Sequence, residues 1–133
     1  MARRDDPLET ILGPLEQDVM DVVWQLSDAT VRDVHSELAK RRKIAYTTVM
    51  TTMARLANKG LLLRDTNGLA HRYRPVITRE SYARATLGSV LSWLLERYPE
   101  PAASYLAEMV DDMGSVSLDE LRTAVERRRS KES

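Results

Sequence analysis

Ala45-Tyr46-Thr47-Thr48-Val49-Met50-Thr51-Thr52-Met53-Ala54-Arg55-Leu56-Ala57-Asn58-Lys59-Gly60 reads as a helix with two unlike faces. Val49, Met53 and Leu56 recur at spacings of four and three, the period of one helical face. Stepping about 100° per residue from Val49 puts Thr47, Thr51, Ala54 and Asn58 on the far side, flanked by Met50 and Arg55. No carboxylate lies on this helix. Threonine is a poor helix former, so Thr47, Thr48, Thr51 and Thr52 must serve something other than propensity. Gly60 suits the left-handed position that ends a helix.

Upstream, Gly13-Pro14 opens a first helix, because proline fits the first helical position. Leu15, Val19, Val22 and Val23 follow at helical spacing with Met20 and Trp24 beside them, and Trp24 is expected to seal the core. Glu16 and Asp18 suit the positive end of the helix dipole. The helix should run to about Leu26 and stop at Ser27-Asp28. Thr30 and Asp33 form a reciprocal capping pair for a second helix, whose apolar stripe is Val34 and Leu38. Lys40-Arg41-Arg42-Lys43 ends it, and a connection over about residues 42–45 leads into the third.

Downstream, Leu61-Leu62-Leu63-Arg64 and Ala70-His71-Arg72-Tyr73-Arg74-Pro75 read as strands on either side of Asp65-Thr66-Asn67-Gly68. Asn67-Gly68 is a hairpin turn signal, since both residues tolerate positive φ. His71 and Tyr73 should point one way, Arg72 and Arg74 the other. A two-stranded ribbon is weak alone, so packing on the helices and a short third strand near Ala29-Thr30 are expected. Residues 8–77 therefore read as a winged helix-turn-helix.

Thr78 is placed to cap a long helix through about Tyr98, with Tyr82, Leu87, Val90, Leu91, Leu94 and Leu95 on a broad apolar face and Trp93 near its end. Gly88 inside it costs about 1 kcal/mol against alanine, or allows close helix approach. Pro99 and Pro101 break the chain. A fifth helix carries Tyr105, Leu106, Met109, Val110 and Met113 and ends near Gly114. Ser117 and Glu120 read as a capping box for a last helix bearing Leu118, Leu121 and Val125, fraying from Glu126. Residues 78–129 thus make three helices, with 130–133 a frayed tail. So small a unit hides too little of its own surface. Either it packs back on the winged domain, or it pairs with a second copy through Leu87, Val90, Leu91, Leu94, Leu106, Met109, Val110, Leu118, Leu121 and Val125. The expected fold class is mainly α: a winged helix-turn-helix with a small antiparallel β wing, plus an α-helical dimerisation domain.

The 133 residues include 20 basic and 20 acidic ones, so the formal net charge is zero. The charge is unevenly placed. Between residues 40 and 74 nine basic residues face a single carboxylate, Asp65, giving that stretch plus eight and the remainder minus eight. Such a stretch is either a binding face for a polyanion or an ordinary solvated surface. The absence of cysteine excludes disulfides, thiolate metal sites and cysteine nucleophiles. Met1-Ala2-Arg3-Arg4-Asp5-Asp6-Pro7 has no apolar run behind its arginines, and no stretch approaches a membrane span, so a cytoplasmic protein without membrane insertion is expected. His35 and His71 lack partners at ligand spacing, Asp111-Asp112 reads as solvated surface, and no catalytic set or cofactor motif stands out; neither enzyme activity, metal nor cofactor is expected.

Leu12-Gly13-Pro14-Leu15-Glu16-Gln17-Asp18-Val19-Met20-Asp21-Val22-Val23-Trp24 resembles the opening of the penicillinase-repressor family, which includes the methicillin-resistance repressors and copper-responsive relatives. Thr30-Val31-Arg32-Asp33-Val34, the segment from Ala45 to Leu56, and Lys59-Gly60-Leu61-Leu62 are similar to it too. The resemblance implies a homodimeric winged-helix repressor that binds palindromic operator DNA at β-lactamase and related antibiotic-response genes, released through a membrane sensor and regulatory protease. It implies that the third helix enters the major groove, with Thr47, Thr48, Thr51 and Arg55 reading bases. Backbone contacts then fall to Arg32, Lys40, Arg41, Arg42, Lys43, Tyr46, Lys59, Arg72 and Arg74, with Asn67 and Gly68 at the wing tip. Tyr46 either stacks near the DNA backbone or packs at the turn, and Arg55 reaches a base or a phosphate.

Three departures matter. Ala45 stands where the family has a hydroxyl-bearing cap. The copper-responsive members carry a carboxy-terminal cysteine cluster, absent here. Penicillin-responsive members are cut at an Asn-Phe bond, whereas this chain has no Phe and only Asn58 and Asn67 as asparagines; the matching region is Glu108-Met109-Val110. Either another bond is cut there, or repression is relieved differently. A rival from another class is a winged-helix protein-interaction module, which would need an apolar patch on the third helix.

Overall fold

A computed structural model describes residues 11–132, with residues 115–118 and 131–132 described by backbone alone. The element order is α1 (Pro14–Leu26), β1 (Ala29–Thr30), α2 (Val31–Ala39), α3 (Tyr46–Asn58), β2 (Leu62–Asp65), β3 (Arg72–Pro75), α4 (Arg79–Arg97), α5 (Pro99–Asp112) and α6 (Gly114–Glu132). The chain divides into two compact units, one through Ser89 and one from Val90. The expected stretch 8–10, Ser117 as a cap and Leu118 as an interface side chain lie outside the described residues.

The first unit is built on helix packing. Val19, Met20, Val22 and Val23 of α1, Val34 and Leu38 of α2, and Val49, Met53 and Leu56 of α3 are fully buried in one core. Pro14 opens α1, and the Glu16 carboxylate accepts the Gly13 N–H at 3.1 Å. The Thr30–Asp33 pair caps α2 in both directions, at 3.1 and 3.0 Å. The sheet has the order β1-β3-β2, all antiparallel, with Ala29 opposite Tyr73 and Arg64 on Tyr73's other side. Tyr73 and Leu62 turn into the core, while Arg72 and Arg74 face outward. Trp24 is half-buried against this core; its indole N–H donates to the Ile77 carbonyl at 2.9 Å, and its ring meets Tyr82 at 5.6 Å. Thr78 caps α4 by accepting the Ser81 N–H at 3.1 Å.

The wing departs from the sequence reading. The strands stop at Asp65 and Arg72, leaving residues 66–71 as a loop, and among the described residues only Gly60, Gly114 and Ser27 have positive φ. Asn67 and Gly68 therefore make no positive-φ turn. The Asp65 carboxylate instead accepts the Asn67 N–H at 2.9 Å, a side-chain-closed turn that needs no left-handed residue. His71 falls outside β3 and is exposed rather than sharing Tyr73's buried face.

The second unit also differs in detail. The chain breaks between α4 and α5 at Tyr98, as expected, but Pro99 and Pro101 belong to the first turn of α5, where backbone N–H groups have no helical partner to lose. Gly114, at φ +81, separates α5 from α6, so the backbone is already helical three residues before position 117, where the last helix was expected to start. α6 continues through Glu132 instead of fraying at Glu126, because its arginines, glutamates and alanine are good helix formers and no Gly or Pro follows Gly114.

Leu56→Ala, which empties a fully buried site in α3, should lower stability by about 2–5 kcal/mol in urea unfolding. Thr30→Ala, which removes the α2 cap, should cost about 1 kcal/mol in the same measurement.

Candidate nucleic-acid interface

The buried stripe of α3 fixes what the helix shows to solvent. With Val49, Met53 and Leu56 wholly excluded from water, Thr47, Thr48, Thr51, Arg55 and Asn58 are all exposed. Tyr46 and Met50, one turn apart, are 46% and 44% exposed on the same surface. The four threonines have two roles. Thr52 is buried, its hydroxyl turned back to the Thr48 carbonyl at 2.7 Å, while the other three keep exposed side chains. Three small donor-acceptor groups and one guanidinium, with no carboxylate, are suited to base edges and thymine methyls.

The start of α3 is open. Ala45 is the capping residue and offers no side-chain bond; the Thr48 and Val49 N–H groups both turn to its carbonyl, at 3.2 and 3.3 Å. The preceding turn is held from α2 instead. His35 donates through Nε2 to the Ile44 carbonyl at 2.9 Å, and its ring meets Tyr46 edge-on at 5.7 Å. A carbonyl only accepts, so this bond sets the tautomer with the proton on Nε2. His35 has no metal-ligand partner at sequence spacing; its place beside the Val34–Leu38 stripe is the signal for a packing role.

The structure divides the nine basic residues expected at the DNA interface into two sets. Arg32, Arg41, Lys43, Arg55 and Arg74 are exposed, and none makes an ion pair with a described residue. The remaining four are paired: Lys40 with Glu37 at 2.9 Å, Arg42 with Asp18 at 2.8 Å, Lys59 with Glu16 at 2.7 Å and Arg72 with Asp28 at 3.0 Å. Lys59–Glu16 is the most enclosed, with the Glu16 side chain 13% exposed. The Lys59 ammonium hydrogen-bonded to it, reinforced by the Gly13 N–H and by nearby Arg55, holds the Glu16 carboxyl below the usual carboxylate range. Asp33 is lowered in the same way by the Thr30 N–H and hydroxyl. None of these long-range pairs was legible from sequence spacing. On the wing, Asn67 and Gly68 are exposed as expected, and Leu69 beside them projects fully into solvent.

The expected dimerisation residues lie on the second unit's helices and their approach. Leu87, Leu91, Met109, Leu121 and Val125 are exposed, and Val90, Leu94, Leu106 and Val110 half-buried. No described side chain after Tyr73 is buried. Glu108, Met109 and Val110 lie within the last turn and a half of α5.

The penicillinase repressor family model matches residues 12–127, from the start of the core through most of α6. This chain belongs to the penicillinase repressor family. It is 40% identical over 117 residues to the transcriptional regulator BlaI of Mycobacterium tuberculosis, in strains CDC 1551 / Oshkosh and H37Rv alike, covering 87% of this chain and 83% of the relative. Among solved structures, the monomeric form of Bacillus licheniformis BlaI in complex with the blaP half-operator is 30% identical, covering 54% of this chain and 88% of that one, with a TM-score of 0.47. As a penicillinase repressor the chain is a winged-helix, DNA-binding transcriptional repressor rather than an enzyme. Among the described residues no helix is long and apolar enough to cross a membrane.

Because Glu16 titrates lower when folded, the stability it contributes is present above its unfolded pKa, about 4.3. That contribution is lost as pH falls through the lower folded value. Melting temperature followed from neutral to acid pH should therefore show wild type above Glu16→Gln at pH 7, with the gap closing below about pH 4.3.

Proposed function

We propose that the chain represses transcription as a homodimer on a palindromic operator, each protomer laying α3 in the major groove of one half-site, and that the genes controlled include β-lactamase and related antibiotic-response genes. The exposed, carboxylate-free face of α3, with Thr47, Thr48, Thr51 and Arg55 turned outward by a fully buried stripe behind it, carries this reading. In it those four side chains read bases. Arg32, Arg41, Lys43 and Arg74 meet phosphates directly, Lys40, Arg42, Lys59 and Arg72 do so only by sharing or leaving a carboxylate, and Tyr46 packs beside the backbone. The wing tip at Asn67 and Gly68 rests near the backbone or minor groove. Family membership supports the gene class.

Pairing is supported by the second unit, whose described apolar side chains all keep some exposure in the single chain. A second copy would remove them from water at about 25 cal/mol per Å² of apolar area. Two α3 helices would then sit about one DNA turn, roughly 34 Å, apart. A regulatory protease acting at Glu108-Met109-Val110 would first have to unwind α5 there, since helical backbone must open to be cut. The protein-docking alternative would rest on Tyr46 and Met50, two apolar side chains set among threonines, and the mixed polar character of that face favours DNA.

DNA-capture sequencing should return a palindromic motif, and gel shifts on it should weaken steeply between about 0.05 and 0.2 M salt. Thr51→Ala should relax discrimination among sequences. Arg41→Ala should weaken all duplexes alike and reduce the salt slope by about 0.9. Sedimentation should show a dimer that Leu91→Asp dissociates. No enriched motif together with a tight protein ligand in pulldowns would replace this reading with the interaction module.

A further inference from the structure

The paired cations bear on how such a protein avoids binding every duplex, a question that rests on the DNA-binding reading above. Lys59–Glu16 is a structural link, since Glu16 is only 13% exposed and also takes the Gly13 N–H. Arg42–Asp18 and Arg72–Asp28 are of another kind. Arg42 lies on the turn before α3 and Arg72 on the wing, while Asp18 sits in α1 and Asp28 just beyond its end. All four side chains are between 39% and 50% exposed, so neither pair braces the core and both can exchange partners.

We infer that Asp18 and Asp28 are specificity-determining residues, each holding an arginine of the interface until a phosphate in fixed register displaces the carboxylate. An exposed arginine–aspartate pair is weak, and a phosphate presented in line is a competent acceptor for the same guanidinium. Once α3 has found its bases, the register of the phosphates is set and the exchange can occur. On random sequence the protein slides through many registers. The phosphate is then seldom in line, the arginine stays on its aspartate, and two carboxylates face the polyanion. The aspartates therefore weaken random complexes more than the specific one. That widens the ratio governing occupancy among many competing sites, by disfavouring the wrong complex. It also gives these acidic residues a reason to stand against a basic surface.

The full chain and its variants are titrated with a random-sequence duplex, and with the operator recovered by DNA capture, at several salt concentrations. Asp18→Asn and Asp28→Asn should each tighten the random duplex by about two- to fivefold. Each should steepen its salt slope by up to about 0.9, with a smaller gain on the operator. Glu80→Gln removes the same charge from the first turn of α4, where no described cation pairs with it, and should change both far less. Both aspartate changes are isosteric and exposed; Asp18→Ser and Asp28→Ser repeat the test should either asparagine variant melt early. Equal gains from Glu80→Gln, or no gain from the aspartate variants, overturn the inference and leave DNA binding standing. A wild-type chain that binds no duplex at low salt overturns both.

Discussion

The rotation of α3 about its own axis is fixed by three side chains. Val49, Met53 and Leu56 have no measurable exposure, and they meet the equally buried stripes of α1 and α2. Turning the helix by one residue, about 100°, would bring at least one of them into water, at about 1.5–3 kcal/mol for each side chain. The direction of Thr47, Thr51 and Arg55 is therefore set by the core. A surface carried on a rigid helix with a locked rotation is better defined than one placed on a loop. The same core reaches the linker after the wing, because Trp24 on α1 ties the Ile77 carbonyl and the Tyr82 ring to it. The first turn of α4 is thus anchored to the helix that α3 packs against.

Charge is organised around the same helix. α1 and its end supply Glu16, Asp18 and Asp28, and each meets a cation 43, 24 or 44 residues away in sequence. These contacts tie the end of α3 and the turn before it to the amino-terminal part of α1, and the wing to the turn after α1, while the outward face of α3 has no carboxylate. That is how a chain of zero net charge can present a basic, polar helix: most of the compensating charge lies on α1, on and just before α2, and in the second unit, outside α3 in sequence. Exposed ion pairs contribute little to stability, so the consequence lies in where the cations are held more than in how tightly the protein folds.

The outward face of α3 was legible in the sequence because helical period and capping chemistry are local. Val49, Met53 and Leu56 declare the inner face at their spacing, and Thr30 with Asp33 marks the start of α2 within four residues. The third strand at Ala29-Thr30 was inferable from the weakness of a lone hairpin. The wing turn was not, because Asn67-Gly68 announces a positive-φ turn and the Asp65 side chain closes a different one first. The start of α6 was hidden for a related reason: Ser117 and Glu120 have the capping spacing, yet the backbone enters the helix at Gly114. His35 on the Ile44 carbonyl and the pairs onto α1 depend on tertiary proximity, which no spacing rule carries.

The second unit raises a separate physical question, since three helices with no buried side chain among the described residues have little of their own to hold them in order. On the proposed dimer, the order of those helices and the pairing of two reading heads are one event. Joining the heads turns the second half-site contact into an intramolecular step with a high effective concentration, so affinity for a full operator far exceeds that for either half. Anything that unwinds α5 removes apolar area from the shared face and loosens that coupling, even though no residue of the α3 surface has changed. On that proposal repression is sensitive outside the α3 surface, because the weakest-packed part of the chain is the part that multiplies the affinity of the best-packed part.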